Sequence, residues 1–133
     1  MGIAIEIAPG ELLDKLTILD IKRERITDAA KLRNVNHEHA LLQKAMDSTV
    51  RSSPALTALY QELRRINERL WDIEDDIRDC EAAQDFGPRF VELARAVYHT
   101  NDKRAVVKRQ INDLLGSDII EEKSYKDYTA RTV

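Results

Sequence analysis

The stretch SPALTALYQELRRINERLWDIEDDIRDCEAAQ, Ser53 to Gln84, carries one unbroken pattern, and its reading decides the fold. Apolar residues fall at Leu56, Leu59, Leu63, Ile66, Leu70, Ile73, Ile77 and Cys80, in alternating steps of three and four. That is the seam of a helix packed lengthwise against another helix. Ser53 can cap the first free backbone N–H groups, and Pro54 suits the first helical position, where no N–H is needed. No Gly or Pro interrupts the run before Gly87-Pro88. At about 1.5 Å per residue such a helix spans roughly 45 Å. Propensity alone does not hold that length in water, so long partner helices are required.

Charges are distributed unevenly around this helix. Arg65, Arg69, Asp72 and Asp76 line one flank, at spacings that allow ion pairs along the surface. Trp71 lies off the seam, near Asn67, Glu74 and Arg78. Either another helix covers this second face, which is the blander reading, or it is a contact surface. The segment Asp72–Glu81 holds six acids and one Arg, and acids in the last turns oppose the helix dipole. Basic residues of the following helix (Arg89, Arg95, Lys103 or Arg104) are the expected answer to them.

Composition narrows the class. The chain has 133 residues, 43% hydrophobic and 34% charged, with four Gly and three Pro. One domain of long helices with charged faces fits those values. Net charge is −3 with the signs interleaved, so nucleic-acid binding has no electrostatic footprint. The single Cys80 cannot form an internal disulfide and reads as a small buried hydrophobe in a reducing compartment. No apolar segment approaches membrane-spanning length, and the N-terminus lacks the basic region of a signal peptide. The expectation is a soluble cytoplasmic protein with no membrane or nucleic-acid partner.

Outward from the long helix, the order is a strand, two helices, the long helix, a fourth helix and a tail. Ile3, Ile5 and Ile7 alternate with Ala4 and Glu6, which predicts a short β-strand over about 3–7. A lone strand needs a partner. The Asp118–Glu121 region, or the same strand of a second subunit, could supply one. Helix one is expected at about 10–26. Leu12, Leu16, Leu19 and Ile26 form one stripe, while Ile18 and Ile21 fall on the other side. A helix apolar on more than one face is central, or it lies at a subunit interface. Helix two follows at about 28–47, with Thr27-Asp28 as cap and a seam of Leu32, Val35, His39, Leu42 and Met46. The long helix occupies about 54–84 and the last helix about 88–115, where Gly116 suits a C-cap. Residues 116–133 form a tail that docks through Tyr125 and Tyr128. The fold class is thus all-α: an antiparallel helical bundle of long helices with a short N-terminal β-strand.

The last helix breaks its own rule. Its seam runs through Phe90, Leu93, Ala94, Val97, Ile111 and Leu115, but Asn101, Arg104 and Lys108 occupy the positions between. Either the helix breaks at Thr100-Asn101-Asp102, or one helix carries a polar core layer. A buried cation needs an acid close by. Glu68 and Asp72 lie at about the right level but need rotation; Asp14, Asp20 or Glu24 of helix one are the alternatives.

Other chemistry leaves little trace. His37 and His39 point to nearly opposite sides of a helix and cannot chelate together, and His99 is alone. His39 reads as a satisfied boundary histidine. No nucleophile elbow and no Gly-rich phosphate loop occur. No metal site and no cofactor are expected, although Asp72, Asp75, Asp76 and Asp79 form a weak Mg²⁺ candidate. The acid spacing of helical nucleotide pyrophosphohydrolases is met only by Glu11 and Asp14. The Arg–Lys–Glu core of helical chorismate mutases is imitated only loosely by Arg104 and Lys108, and its long first helix is missing.

Four runs carry a resemblance: Gly10-Glu11-Leu12-Leu13-Asp14-Lys15-Leu16-Thr17-Ile18-Leu19-Asp20-Ile21-Lys22, then Leu70-Trp71-Asp72-Ile73-Glu74-Asp75-Asp76-Ile77-Arg78, then Thr100-Asn101-Asp102-Lys103-Arg104-Ala105, then Glu121-Glu122-Lys123-Ser124-Tyr125. They resemble a bacterial family of small helical domains of unknown function. The resemblance covers most of the chain and implies a bacterial origin and a helical architecture, with no assigned activity.

Two functions from different classes follow as expectations. One is an interaction module forming a homodimer or binding another protein, with Trp71, Ile18, Ile21 and Ile5 at the interface. The other is a small-anion site, for a phosphate or carboxylate compound, built from Asn101, Arg104, Lys108, Glu68, Asp72, Asp14 and Lys15.

Overall fold

The computed structural model describes residues 1–129. Four helices form in chain order: α1 (Pro9–Arg25), α2 (Ala29–Thr49), α3 (Pro54–Ala82) and α4 (Pro88–Leu114). The start signals act as their chemistry requires. Ser53 Oγ accepts from the Leu56 N–H at 3.1 Å, and Asp28 Oδ2 accepts from the Lys31 N–H at 2.8 Å. Pro9, Pro54 and Pro88 sit in the first turns, where a missing N–H costs nothing. Gly116, at φ +66°, lets the chain leave α4 through the left-handed region, and the Ser117 N–H returns to the Asn112 carbonyl at 2.9 Å.

The expected strand over residues 3–7 is absent: no strand occurs among the described residues. Residues 1–8 form an arm without regular structure. Neither the 118–121 segment nor any other described residue pairs with the backbone of residues 1–7, and a strand without a ladder does not form. Ile3 and Ile5 stand 82% and 75% exposed.

α3 and α4 run back along each other. Asp76 meets Arg89 near their connection, while at the far end Leu56 and Leu63 share a buried cluster with Val107 and Ile111. Leu13 of α1 closes that cluster. α1 packs on α2, α3 and α4 alike, which explains its apolar residues on several faces. Leu13, Leu16 and Ile21 are essentially inaccessible. Burial of each contributes roughly 2 kcal/mol. The second face of α3 is covered by α1, so Asn67 is buried and Arg25 lies over Trp71 at 5.8 Å from the ring centroid. α2 rests on α1 and buries fully only Val35. Cys80, read as buried, is half-exposed. No helix among the described residues is long and apolar enough to cross a membrane.

The pairs expected of Asp72 and Asp76 with Arg65 and Arg69 along α3 are replaced by pairs between helices. Asp72 takes Arg25 of α1 at 2.6 Å and Asp76 takes Arg89 of α4 at 3.4 Å, rather than Arg65 or Arg69.

Candidate functional site

α4 is continuous through Thr100-Asn101-Asp102, so its seam does carry a polar layer inside one helix. The layer is centred on α1. Asp14, 1% exposed, lies between Leu13 and Leu16 on the face turned to α3 and α4. Arg104 binds it with a two-pronged grip, Nε to Oδ1 at 2.9 Å and Nη2 to Oδ2. Asn67 Nδ2 donates to Asp14 Oδ1 at 2.9 Å and to Thr17 Oγ1 at 2.8 Å. The Thr17 hydroxyl donates to the Asp14 carbonyl at 2.7 Å. No buried side-chain nitrogen or oxygen among the described residues is left without a partner.

One turn along α4, Lys108 repeats the arrangement. Its ammonium donates to Glu11 Oε2 at 2.8 Å and to Glu121 Oε2 of the tail at 3.2 Å, and lies 3.9 Å from Asp14 Oδ2. Burial pulls the Lys108 pKa down, but the Glu11 hydrogen bond and the Asp14 charge outweigh it and leave it raised. The hydrogen bond to Asp14 raises Arg104 against the opposing effect of burial. Glu121 is lowered by its hydrogen bonds to Lys123 and Lys108.

A third contact completes the junction of α1 and α4. The Gly10 N–H donates to Asn112 Oδ1 at 2.7 Å. A Cβ at residue 10 would stand 2.5 Å from the Lys108 carbonyl oxygen and 2.8 Å from Asn112 Oδ1. Gly10 is therefore the residue that permits the approach.

Of the residues expected at an anion site, Arg104, Lys108 and Asp14 do come together. Asn101 is exposed at the edge of the layer, and Lys15 is exposed beside Glu11 at 3.7 Å. Glu68 pairs with Arg64 at 3.0 Å and Asp72 with Arg25, so neither belongs to the layer. Thr17, Asn67, Asn112 and Glu121 were not singled out for this layer in the sequence, and Glu11 was noted only for its spacing from Asp14. The readable signal was a polar pair three apart, Asp14 and Thr17, on a helix apolar on several sides. The acids of α3 do not converge on a metal: no group of three His, Cys, Asp or Glu side chains among the described residues could hold one.

The expected interface residues divide. Ile21 is 1% exposed and is spent inside the chain, where α1 is covered by its neighbours. Ile18 and Trp71 are half-buried around a recess of about 430 Å³ beside Arg104. Ile5 is exposed, and with Ile3 and Ile7 it borders a groove of about 1180 Å³. Leu12, Leu41, Leu42, Val50 and Leu115 form the apolar lining of that groove.

The family model DUF6165, described as a family of unknown function, matches residues 3–132. The chain belongs to that family. The DUF6165 match takes in almost the whole arm, all four helices and the described tail, so the polar layer and the groove both lie within it. No curated protein and no solved structure matches the chain.

Proposed function

We propose that the protein is a helical assembly module that pairs with a second copy of itself through the N-terminal arm. The carrying observation is the arm itself. Residues 1–7 have no regular structure and no backbone hydrogen bond to a described residue, and Ile3 and Ile5 are exposed. Free backbone groups beside alternating apolar side chains are the template for strand addition. A second arm is self-complementary with the first. Antiparallel pairing about Ile5 sets Ile3 opposite Ile7 and Ile5 opposite Ile5, all on one face, with Ala4 opposite Glu6 on the other. The isoleucine face then covers the apolar groove below. The pairing supplies the β-strand partner that one chain lacks, so the short strand forms in the dimer.

The polar layer serves this reading as a brace that fixes α1 against α3 and α4. Its two cations are already answered by Asp14, Glu11 and Glu121. An incoming anion would have to displace a carboxylate already in place. A single cysteine supports a reducing, cytoplasmic setting.

Burying Ile3 and Ile5 of both copies gains roughly 2 kcal/mol per side chain, against an association cost of about 4–15 kcal/mol. The dimer is therefore weak and concentration-dependent. Sedimentation equilibrium between about 10 and 1000 µM should show monomer passing to dimer. Ile5→Asp should keep the helical circular dichroism and remain monomeric. A wild-type monomer at the upper concentration, or a dimer unaffected by Ile5→Asp, overturns the proposal.

A further inference from the structure

A second groove, of about 550 Å³, opens between α2 and α3 on the side of α1 away from Arg104. Three helices send polar groups into it. Asp20 of α1 accepts at Oδ1 from His39 Nε2 of α2, at 2.8 Å, and at Oδ2 from the Tyr60 hydroxyl of α3. Both carboxylate oxygens are thus in use. The side chains of His39 and Asp20 are only 13% and 19% exposed. Burial, with the hydrogen bond to Asp20, raises the Tyr60 pKa and keeps its proton on the hydroxyl.

These contacts tie the three helices, but they do not account for Arg23. Its Nη1 lies 3.3 Å from both ring nitrogens of His39. A donor equidistant from the two is in line with neither lone pair, so the guanidinium rests against the ring without a good hydrogen bond. No acid lies within 4 Å of Arg23 among the described residues, although almost every other cation near the α1 junctions has one. The amide-bearing Gln43 and Gln61 line the same groove, and Met46 and Leu56 provide an apolar wall. A guanidinium offers five donors in a fixed fork that matches an oxyanion. Its volume is in the range of small-molecule sites.

We infer that this groove binds a small molecule through an oxyanion, phosphate or carboxylate, held where Arg23 and His39 together border the groove, with the body of the ligand against Met46 and Leu56. Arg23 supplies the fork and His39 a ring N–H at Nδ1, the ring being held in orientation by the Nε2–H donated to Asp20. The site is independent of self-association, since it uses no residue of the arm.

The test is the imidazole ¹H–¹⁵N spectrum of the full chain, titrated separately with inorganic phosphate and with acetate. His39 is assigned by its loss in His39→Gln. Saturable movement of the His39 signals by phosphate alone, by acetate alone, or by both supports the site and names the anion. Arg23→Gln, at an exposed position that leaves the fold intact by circular dichroism, should weaken that binding about tenfold, as for loss of one charge-assisted contact. Arg33→Gln, on the exposed side of α2, should leave it unchanged. No movement with either anion, or equal affinity in Arg23→Gln, overturns the inference.

Discussion

Replacing Arg104 by Met tests the polar layer as a brace. The substitution removes both hydrogen bonds to Asp14 and leaves a carboxylate that is 1% exposed with Asn67 as its remaining side-chain donor. Breaking a buried pair from one side costs about 3–5 kcal/mol, because the surviving charge stays out of water. Lys108, already 3.9 Å away, can swing toward Asp14 and places the loss at the lower end, about 3 kcal/mol. For 133 residues the unfolding entropy is about 0.28 kcal/mol/K, from about 2.1 cal/mol/K per residue. The melting temperature should therefore fall by about 10 °C, read by circular dichroism and confirmed by urea titration. Replacing both partners, as Asp14→Leu with Arg104→Met, should recover much of the loss, since no lone charge remains. A fall of less than about 1 kcal/mol in Arg104→Met would refute the reasoning, as would a double variant no better than the single one.

Other perturbations have equally definite signs. Gly10→Ala would add helix propensity, yet its Cβ meets the Lys108 carbonyl at 2.5 Å, so chemical denaturation should show a net loss of about 1–3 kcal/mol; a stabilised variant would mean that α4 can retreat freely. Tyr60 has a folded pKa raised above its unfolded value near 10, so its contribution is full below that pH and is lost as the pH rises beyond it. Tyrosinate absorbance should show Tyr60 ionising last, together with unfolding, and Tyr60→Phe should remove the late step. Ser53→Ala should cost about 1 kcal/mol in urea titrations through the lost cap on α3; an unchanged midpoint would count against that cap.

Much of the architecture was legible because helix punctuation is local. Ser53, Asp28, the prolines and Gly116 act within a turn of their own positions, and their hydrogen bonds are the ones their spacing implies. The misread strand has the opposite character: period two in Ile3, Ile5 and Ile7 records which side chains share a face, but a strand also needs a neighbour that no short window contains. The polar layer was visible as Asn101, Arg104 and Lys108 interrupting a seam. Its acid was visible only as one of several candidates, because choosing Asp14 over Glu68 or Asp72 depends on how α1 rotates against α4. The role of Gly10 was not legible, since its close approach to Lys108 depends on a residue far along the chain. The role of His39 depended likewise on Asp20 and Tyr60 arriving from two other helices.

The central position of α1 also sets an order of events during synthesis. Asp14 finds Arg104 only 90 residues later, and Gly10 finds Asn112 only 102 residues later. At a translation rate of about 5–20 residues per second, the first helix waits roughly 5–20 seconds for its last partner to be made. During that interval its several apolar faces and its unpaired acid have only α2, and later α3, to rest on. α3 and α4, by contrast, meet across a short connection and can close as soon as both exist. The nascent chain is therefore most vulnerable to off-pathway association at its N-terminal half, and release of the last helix from the ribosome is the step that ends the exposure.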